Sequence, residues 1–246
     1  MLEPLRVENV TLGYGSKKVL SDINVEFPQK KITVVMGGSG SGKSTLLKGL
    51  LGLLPPMQGK IFYDQTSLYD VEAEERANLL RHVGVLYQGG ALWSDRTVGE
   101  NVSFPLEEFT TLPTSQIKEL VKFKLSLVGL DGAEKLYPDE LSGGMRKRAS
   151  LARAMALDPE ILFLDEPSAG LDPLNARRLD NLILQLREGL GTSFIVITHD
   201  LESIRTIAQH GIFIEKGKVT ATGTLKEIEN GKSETAKEFL RGFAKA

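Results

Sequence analysis

The densest chemistry in this 246-residue chain lies in Gly37-Gly38-Ser39-Gly40-Ser41-Gly42-Lys43-Ser44. These residues satisfy the spacing G-x-x-x-x-G-K-[ST] between an apolar run and helical sequence, and that context matters as much as the letters. Glycines let the backbone curl so that successive N–H groups point inward at an anion. The helix that follows presents an N-terminus worth about half a positive charge. A loop of this kind cradles the phosphates of a nucleotide. Lys43 would reach the β- and γ-phosphates, and the Ser44 hydroxyl would take a magnesium position. A flexible Gly/Ser turn is the simpler alternative, but it does not call for Lys-Ser at this offset after a buried strand.

Ile161-Leu162-Phe163-Leu164-Asp165-Glu166 supplies the complementary chemistry. A carboxylate ending a buried strand, as Asp165 does, would hold magnesium through water, because this ion dehydrates reluctantly. Glu166 would then lie beside an attacking water. A free glutamate, with a pKa of about 4.3, is a weak base near neutrality. The transition state of phosphoryl transfer is loose, so orienting the water matters more than removing its proton. Alone, a strand-end Asp-Glu is as readily the start of a loop. After a phosphate loop it reads as functional.

These groups need strands and helices to place them. Val19 to Phe27 alternates, with Val19, Ile23, Val25 and Phe27 on one face and Asp22, Asn24 and Glu26 on the other. It reads as a half-exposed strand in an antiparallel layer with Leu5 to Tyr14. Ile32 to Met36, Val83 to Tyr87, Ile161 to Leu164 and Phe194 to Thr198 are short, mostly apolar runs, each followed by polar or helical sequence. Such runs alternating with helices predict an α/β fold with a mainly parallel core sheet. From about Glu100 to Leu141 the texture changes. Ile117, Leu120, Val121, Lys124 and Val128 keep helical spacing, and the segment from about 89 to 158 reads as a helical insertion within a single domain, 1–246. Leu179, Leu182, Ile183, Leu186 and Leu190 predict an amphipathic helix, as do Ala236, Phe239, Leu240 and Phe243 near the end.

Composition narrows the field. There is no cysteine, which excludes structural disulfides, thiolate nucleophiles and cysteine-ligated zinc. The formal net charge of −2 gives no general polyanion-binding field. The N-terminus lacks the charged-then-apolar plan of a secretory signal, and no run approaches the ~18 apolar residues that span a bilayer. The expectation is a soluble chain that meets a membrane only through a partner.

Leu141-Ser142-Gly143-Gly144-Met145 distinguishes this chain among phosphate-loop proteins. It opens a helix, Met145 to Leu157, whose N–H groups and Ser142 hydroxyl form a second anion cradle. Here the chain resembles the ATP-binding-cassette (ABC) ATPase family along nearly its whole length. The motifs stand in the family's order: Tyr14, the phosphate loop, Gln88, Leu141-Ser-Gly-Gly, Asp165-Glu166, Ser168-Ala-Gly-Leu-Asp172 and His199. The resemblance implies the ABC cassette form of the P-loop NTPase fold, hydrolysis of ATP, and Mg2+ held by Ser44, Gln88 and Asp165. It implies that Tyr14 stacks on adenine, that Gly37 to Ser44 and Thr45 hold the phosphates, and that His199 hydrogen-bonds the γ-phosphate. Gln88 would touch magnesium or the water, and Glu166 with Lys43 would complete the catalytic set. Ser142, Gly143 and Gly144 would bind the nucleotide of a second copy of the chain, with Asp172 in the loop that meets that copy. ATP would thereby favour closure of a homodimer. His82 and His210 match no functional position.

Gln88-Gly-Gly-Ala-Leu-Trp93, Phe104-Pro105-Leu106, Met145-Arg-Lys-Arg148 and Leu157-Asp-Pro159 are similar to a narrower group. These are the bacterial lipid-trafficking ATPases of the maintenance-of-lipid-asymmetry (Mla) type, which work with MCE-domain proteins. Gly89 and Trp93 stand where that group more often has serine and phenylalanine. The implied setting is the cytoplasmic face of the inner membrane, bound to integral-membrane permease subunits, with no direct nucleic-acid contact. Ala91, Leu92, Trp93, Val98, Val102 and Phe104 are candidates for gripping a permease helix, or for packing the insertion's own core. Alternatives are a small-solute importer, a lipoprotein-release system, a soluble ABC protein acting on nucleic acid or ribosomes, and a phosphate-loop kinase. The soluble ABC proteins commonly carry two cassettes, a coiled coil or zinc motifs, none of which this sequence has. The kinase would not require Leu141-Ser-Gly-Gly.

Overall fold

A computed structural model describes residues 4–242. In chain order the elements begin with β1 (Leu5–Tyr14), β2 (Lys17–Phe27), β3 (Ile32–Met36), α1 (Lys43–Leu50), β4 (Gln58–Tyr63), β5 (Thr66–Ser67) and α2 (Ala73–Leu80). They continue with β6 (Val83–Leu86), α3 (Val98–Phe109), α4 (Thr114–Leu127), α5 (Gly143–Ala154), β7 (Ile161–Asp165) and α6 (Pro173–Leu190). Last come β8 (Ser193–Ile197), α7 (Leu201–Ile207), β9 (His210–Glu215), β10 (Lys218–Gly223), α8 (Leu225–Glu229) and α9 (Glu234–Arg241). The chain forms two compact units: one runs to Arg81 and resumes at Ser193, and the other is His82–Thr192. No helix among the described residues is long and apolar enough to cross a membrane.

In the first unit, β1 pairs antiparallel with β2 and β4, and β4 with β5. β3 pairs in parallel with β8 and β9, and β10 returns antiparallel along β9. Every residue of β3 is buried, Thr33 included, as a mostly apolar run requires of a strand covered on both faces. The expected alternation in β2 holds for Ile23, Val25 and Phe27 but fails at Val19, which is only half-buried while Leu20 is fully covered. The cause is a bulge. Leu12 faces Leu20 and Val10 faces Ile23, so β2 carries one more residue than β1 across this interval, near Asp22 at φ +53°. A bulge reverses which residues face the core. Helix α9 buries Ala236, Phe239 and Leu240 as expected, with Phe239 5.3 Å from Phe213. Phe243 lies outside the described residues.

In the second unit β6 and β7 are parallel, with Leu86 level with Leu164. β7 is buried at Leu162, Phe163 and Leu164. β6 departs from the expected buried run, since Val83 and Val85 are half-buried and Gly84 and Leu86 covered. Gly84 lies against α5: a Cβ there would stand 2.1 Å from the Ala154 carbonyl oxygen. α3 opens with a reciprocal cap, in which Thr97 accepts from the Glu100 amide and the Glu100 carboxylate accepts from the Thr97 amide. α4 buries Ile117, Val121 and Lys124, and the Lys124 ammonium, 1% exposed, pairs with Asp158. α6 buries Leu179, Ile183 and Leu186, but Leu190 is exposed in its last turn, ahead of the left-handed Gly191. α5 ends at Ala154, short of the expected Leu157.

Candidate functional site

In the first unit, β3 runs into the phosphate loop and α1 carries the chain away from it. Gly37 has φ +148° and would place a Cβ 2.2 Å from the Ile214 carbonyl oxygen. Gly42 has φ +113° and would drive a Cβ to 2.4 Å from Leu20, the residue the β2 bulge turned inward. Only glycine meets both the dihedral and the space. Gly42, the N-cap of α1, provides no side-chain cap, and a helix start of this kind can receive an anion. Among the described residues the Ser41 hydroxyl is buried with no hydrogen-bond partner. Lys43 donates to the Gly37 and Gly38 carbonyls at 2.8 and 2.9 Å, which holds its ammonium over the loop. An uncapped helix start, an unsatisfied hydroxyl and a poised ammonium fit a polyphosphate.

Other residues stand around this loop. Val35 is level with Ile197 in the parallel register, so Gly37 and His199 leave neighbouring strands on the same side. His199 is exposed, and the preceding Thr198 is buried. Ser44 is exposed, and Thr45 buried. Tyr14 ends β1 with 48% of its surface exposed, so it is no core residue. Lys48 donates to its hydroxyl at 3.2 Å. Hydrogen bonds from Lys48 and then Thr45 hold its phenol below the ordinary tyrosine value. The Lys48 ammonium also lies over the ring, 5.5 Å from its centroid, and the exposed ring is an aromatic surface suited to stacking.

The second unit repeats the arrangement. Because Leu86 is level with Leu164, Tyr87 and Asp165 leave the strands together, and Gln88 and Glu166 follow. Burial, with the Asp165 charge behind it, raises the Tyr87 phenol. Glu166 adopts φ +45°, a left-handed conformation that a residue with a Cβ occupies only at a cost. Lys147, on the second turn of α5, donates to the Gln88 carbonyl and, at 3.5 Å, to the Glu166 carbonyl. Burial pushes its ammonium below the usual lysine range, while Asp165 and Glu166 act the other way. In the sequence, Lys147 is marked only by the resemblance of Met145-Arg-Lys-Arg148 to the narrower group. The loop after Gln88 is tied down as well. Arg153 donates to the Gly90 and Ala91 carbonyls, and the fully buried Asn101 donates to the carbonyls of Trp93, Arg96 and Thr97. These anchors were missed because their targets are backbone atoms, which leave no trace in a sequence pattern.

Ser142 and Gly143 are exposed at the start of α5. The Ser142 hydroxyl caps the helix by accepting from the Met145 amide at 3.3 Å, so it reaches an outside anion only as a donor. A Cβ on Gly144 would stand 3.3 Å from the Asn175 side chain. Asn175 in turn donates to Asp172, which also accepts from the Leu174 and Asn175 amides. The second cradle and the Asp172 loop are therefore joined through α6.

The hydrogen bonds of Asn175, and then that of Leu174, hold the Asp172 carboxyl below the ordinary 3.8. A lowered folded value means that the stabilisation is complete above the unfolded value and is lost as pH falls through the folded one. Asp172→Ala should therefore lower the melting temperature at neutral pH, and the gap from the parent protein should narrow below pH 3.8. A gap of constant size across that range would show that the ionised cap is not the cause.

Comparison with known proteins now places the chain. The family described as ABC transporter matches residues 20–169. The intermembrane phospholipid transport system ATP-binding protein MlaF of Haemophilus influenzae is 40% identical over 97% of this chain and 90% of its own length. A probable ribonucleotide transport ATP-binding protein, mkl, of Mycobacterium leprae is 37% identical over 97% of this chain and 69% of its own. Among solved structures, cbiO1 of Clostridium perfringens, part of the ABC transporter complex cbiONQ, superposes with a TM-score of 0.86 at 29% identity. The match covers 98% of this chain and 96% of that one. A dimeric ATP-binding cassette in a post-hydrolysis state with ADP and Pi gives 0.81 at 27% identity over 89% and 98%. Motifs, fold and relatives agree: the chain belongs to the ABC transporter family, as an ATP-hydrolysing, ATP-binding subunit.

Proposed function

We propose that this ATPase works as a homodimer at the cytoplasmic face of the inner membrane, where it drives a permease that moves phospholipid in a system of the Mla type. One observation carries the reading of the site. In each unit a parallel strand pair delivers its functional residues at the same carboxyl ends, Gly37 with His199 and Gln88 with Glu166. Loops at those ends are where open α/β sheets bind ligands. The cargo rests on the likeness to MlaF, which is the more similar of the two curated relatives described and is matched along nearly its full length. Ribonucleotide, the cargo in the mkl name, is the second reading, and it rests on 69% of that relative.

In this proposal residues 1–246 act as one cassette with 89–158 as its helical insertion. Lys43 and the loop amides neutralise the β- and γ-phosphates, and Tyr14 stacks on the base. Motif order assigns Ser44, Gln88 and Asp165 to magnesium. Magnesium keeps several waters and phosphate oxygens, so few protein ligands are needed. When bound, magnesium neutralises charge developing on the phosphates. Glu166 accepts a hydrogen bond from the attacking water and fixes its line of approach, and His199 donates toward the γ-phosphate. The exposed start of α5, with Ser142, Gly143 and Gly144, closes over the nucleotide of the other copy. An MCE-domain protein would supply or receive lipid.

The permease is proposed to seat against the loop after Gln88. Trp93 is 38% exposed there, packed edge-on to Phe104 at 4.4 Å with Arg96 against both rings. Val98 and Val102 are buried and belong to the insertion's own core. Trp93→Ala in the reconstituted transporter should abolish lipid movement with nucleotide binding intact; lost ATP binding would instead assign Trp93 a packing role. Glu166→Gln should cut ATPase turnover by on the order of a hundredfold or more and trap an ATP-bound dimer on a sizing column. A fully active variant would remove Glu166 from the mechanism.

A further inference from the structure

The carboxylate that orients water must be held by its backbone, and at Glu166 that backbone is left-handed at φ +45°. A non-glycine residue there is stable only where its surroundings over-determine it. β7 fixes the chain up to Asp165. Beyond it, the Ala169 amide donates to the Glu166 carbonyl at 3.1 Å, and Lys147 reaches the same oxygen from α5. Lys147 is 7% exposed, and its other hydrogen bond goes to the carbonyl of Gln88.

We propose that Lys147 is a positioning residue for ATP hydrolysis: its ammonium, shared between the Gln88 and Glu166 carbonyls, holds the catalytic backbone and makes it follow the Gln88 loop. A buried ammonium is costly unless acceptors surround it, and a methionine would fill the same space without that cost. Packing alone therefore does not call for lysine here. An ammonium also has three donors and can hold two carbonyls from different loops at once. Displacement of the loop that carries Gln88, Gly90 and Trp93 is then felt at the Glu166 carbonyl through one side chain. This assignment rests on the reading of Glu166 as the residue that orients water.

The test uses the full-length chain with Lys147→Met, Lys147→Arg and Glu166→Gln. Turnover, KM for ATP, affinity for a fluorescent ATP analogue and melting temperature are measured for each. Lys147→Met should lower kcat by about tenfold or more, the scale of a misplaced catalytic group, with KM and nucleotide affinity changed by less than about threefold. Lys147→Arg, which keeps donors toward both carbonyls, should recover most of the turnover. If Lys147→Met keeps its turnover, or if arginine restores no more than methionine does, Lys147 is not a positioning residue. The same conclusion follows if Lys147→Met fails to fold while Lys147→Arg folds with turnover as low as that of Glu166→Gln. A dead Glu166→Gln beside an unaffected Lys147→Met overturns this assignment alone, whereas an active Glu166→Gln removes its foundation.

Discussion

Concentrated negative charge must be held by a backbone that has few positive side chains to offer, and that need governs the rest of the molecule. Lys43 brings a full charge to the loop carbonyls, and in the proposed site oriented amides supply the remaining attraction. Amides point correctly only if the loop is curled, and the curl requires glycine at Gly37 and Gly42. The curl also needs support from outside the loop. Leu20 lies directly beneath Gly42, and it faces that way because β2 bulges at Asp22. A defect in a surface strand and the geometry of the loop are thus parts of one construction.

The same economy holds in the second unit, where backbone carbonyls rather than amides are the groups being managed. Lys147, Arg153 and Asn101 are buried or half-buried polar side chains that spend their donors on loop carbonyls around Gln88 and Trp93. Each satisfies oxygens that would otherwise be costly to cover. Together they turn a segment without regular structure into a defined surface. Conformational strain at Glu166 is tolerable in that setting because α5 and the turn through Ala169 both grip it.

Much of this was legible beforehand because it follows from short-range rules. Short, mostly apolar runs announced β3, β7 and β8, and the glycine-lysine-serine spacing announced the loop and α1. What escaped notice depended on partners distant in sequence. Val19 and Leu20 exchange roles through a bulge that alternation cannot foresee. Lys124 fitted the helical spacing, but its near-total burial depends on Asp158, 34 residues away. Lys147 touches main-chain oxygens, which every residue possesses, so no residue type marks its targets. Asp172 matches the loop that meets a second copy in the family, and its carboxylate is also the cap of α6.

The account stands on catalysis by two copies, one offering the phosphate loop and the other the exposed start of α5. Turnover per subunit measured over a wide dilution series at saturating MgATP tests this most directly. The account predicts that specific activity falls toward zero as dilution separates the copies. Undiminished turnover from chains shown by mass to be single would contradict it.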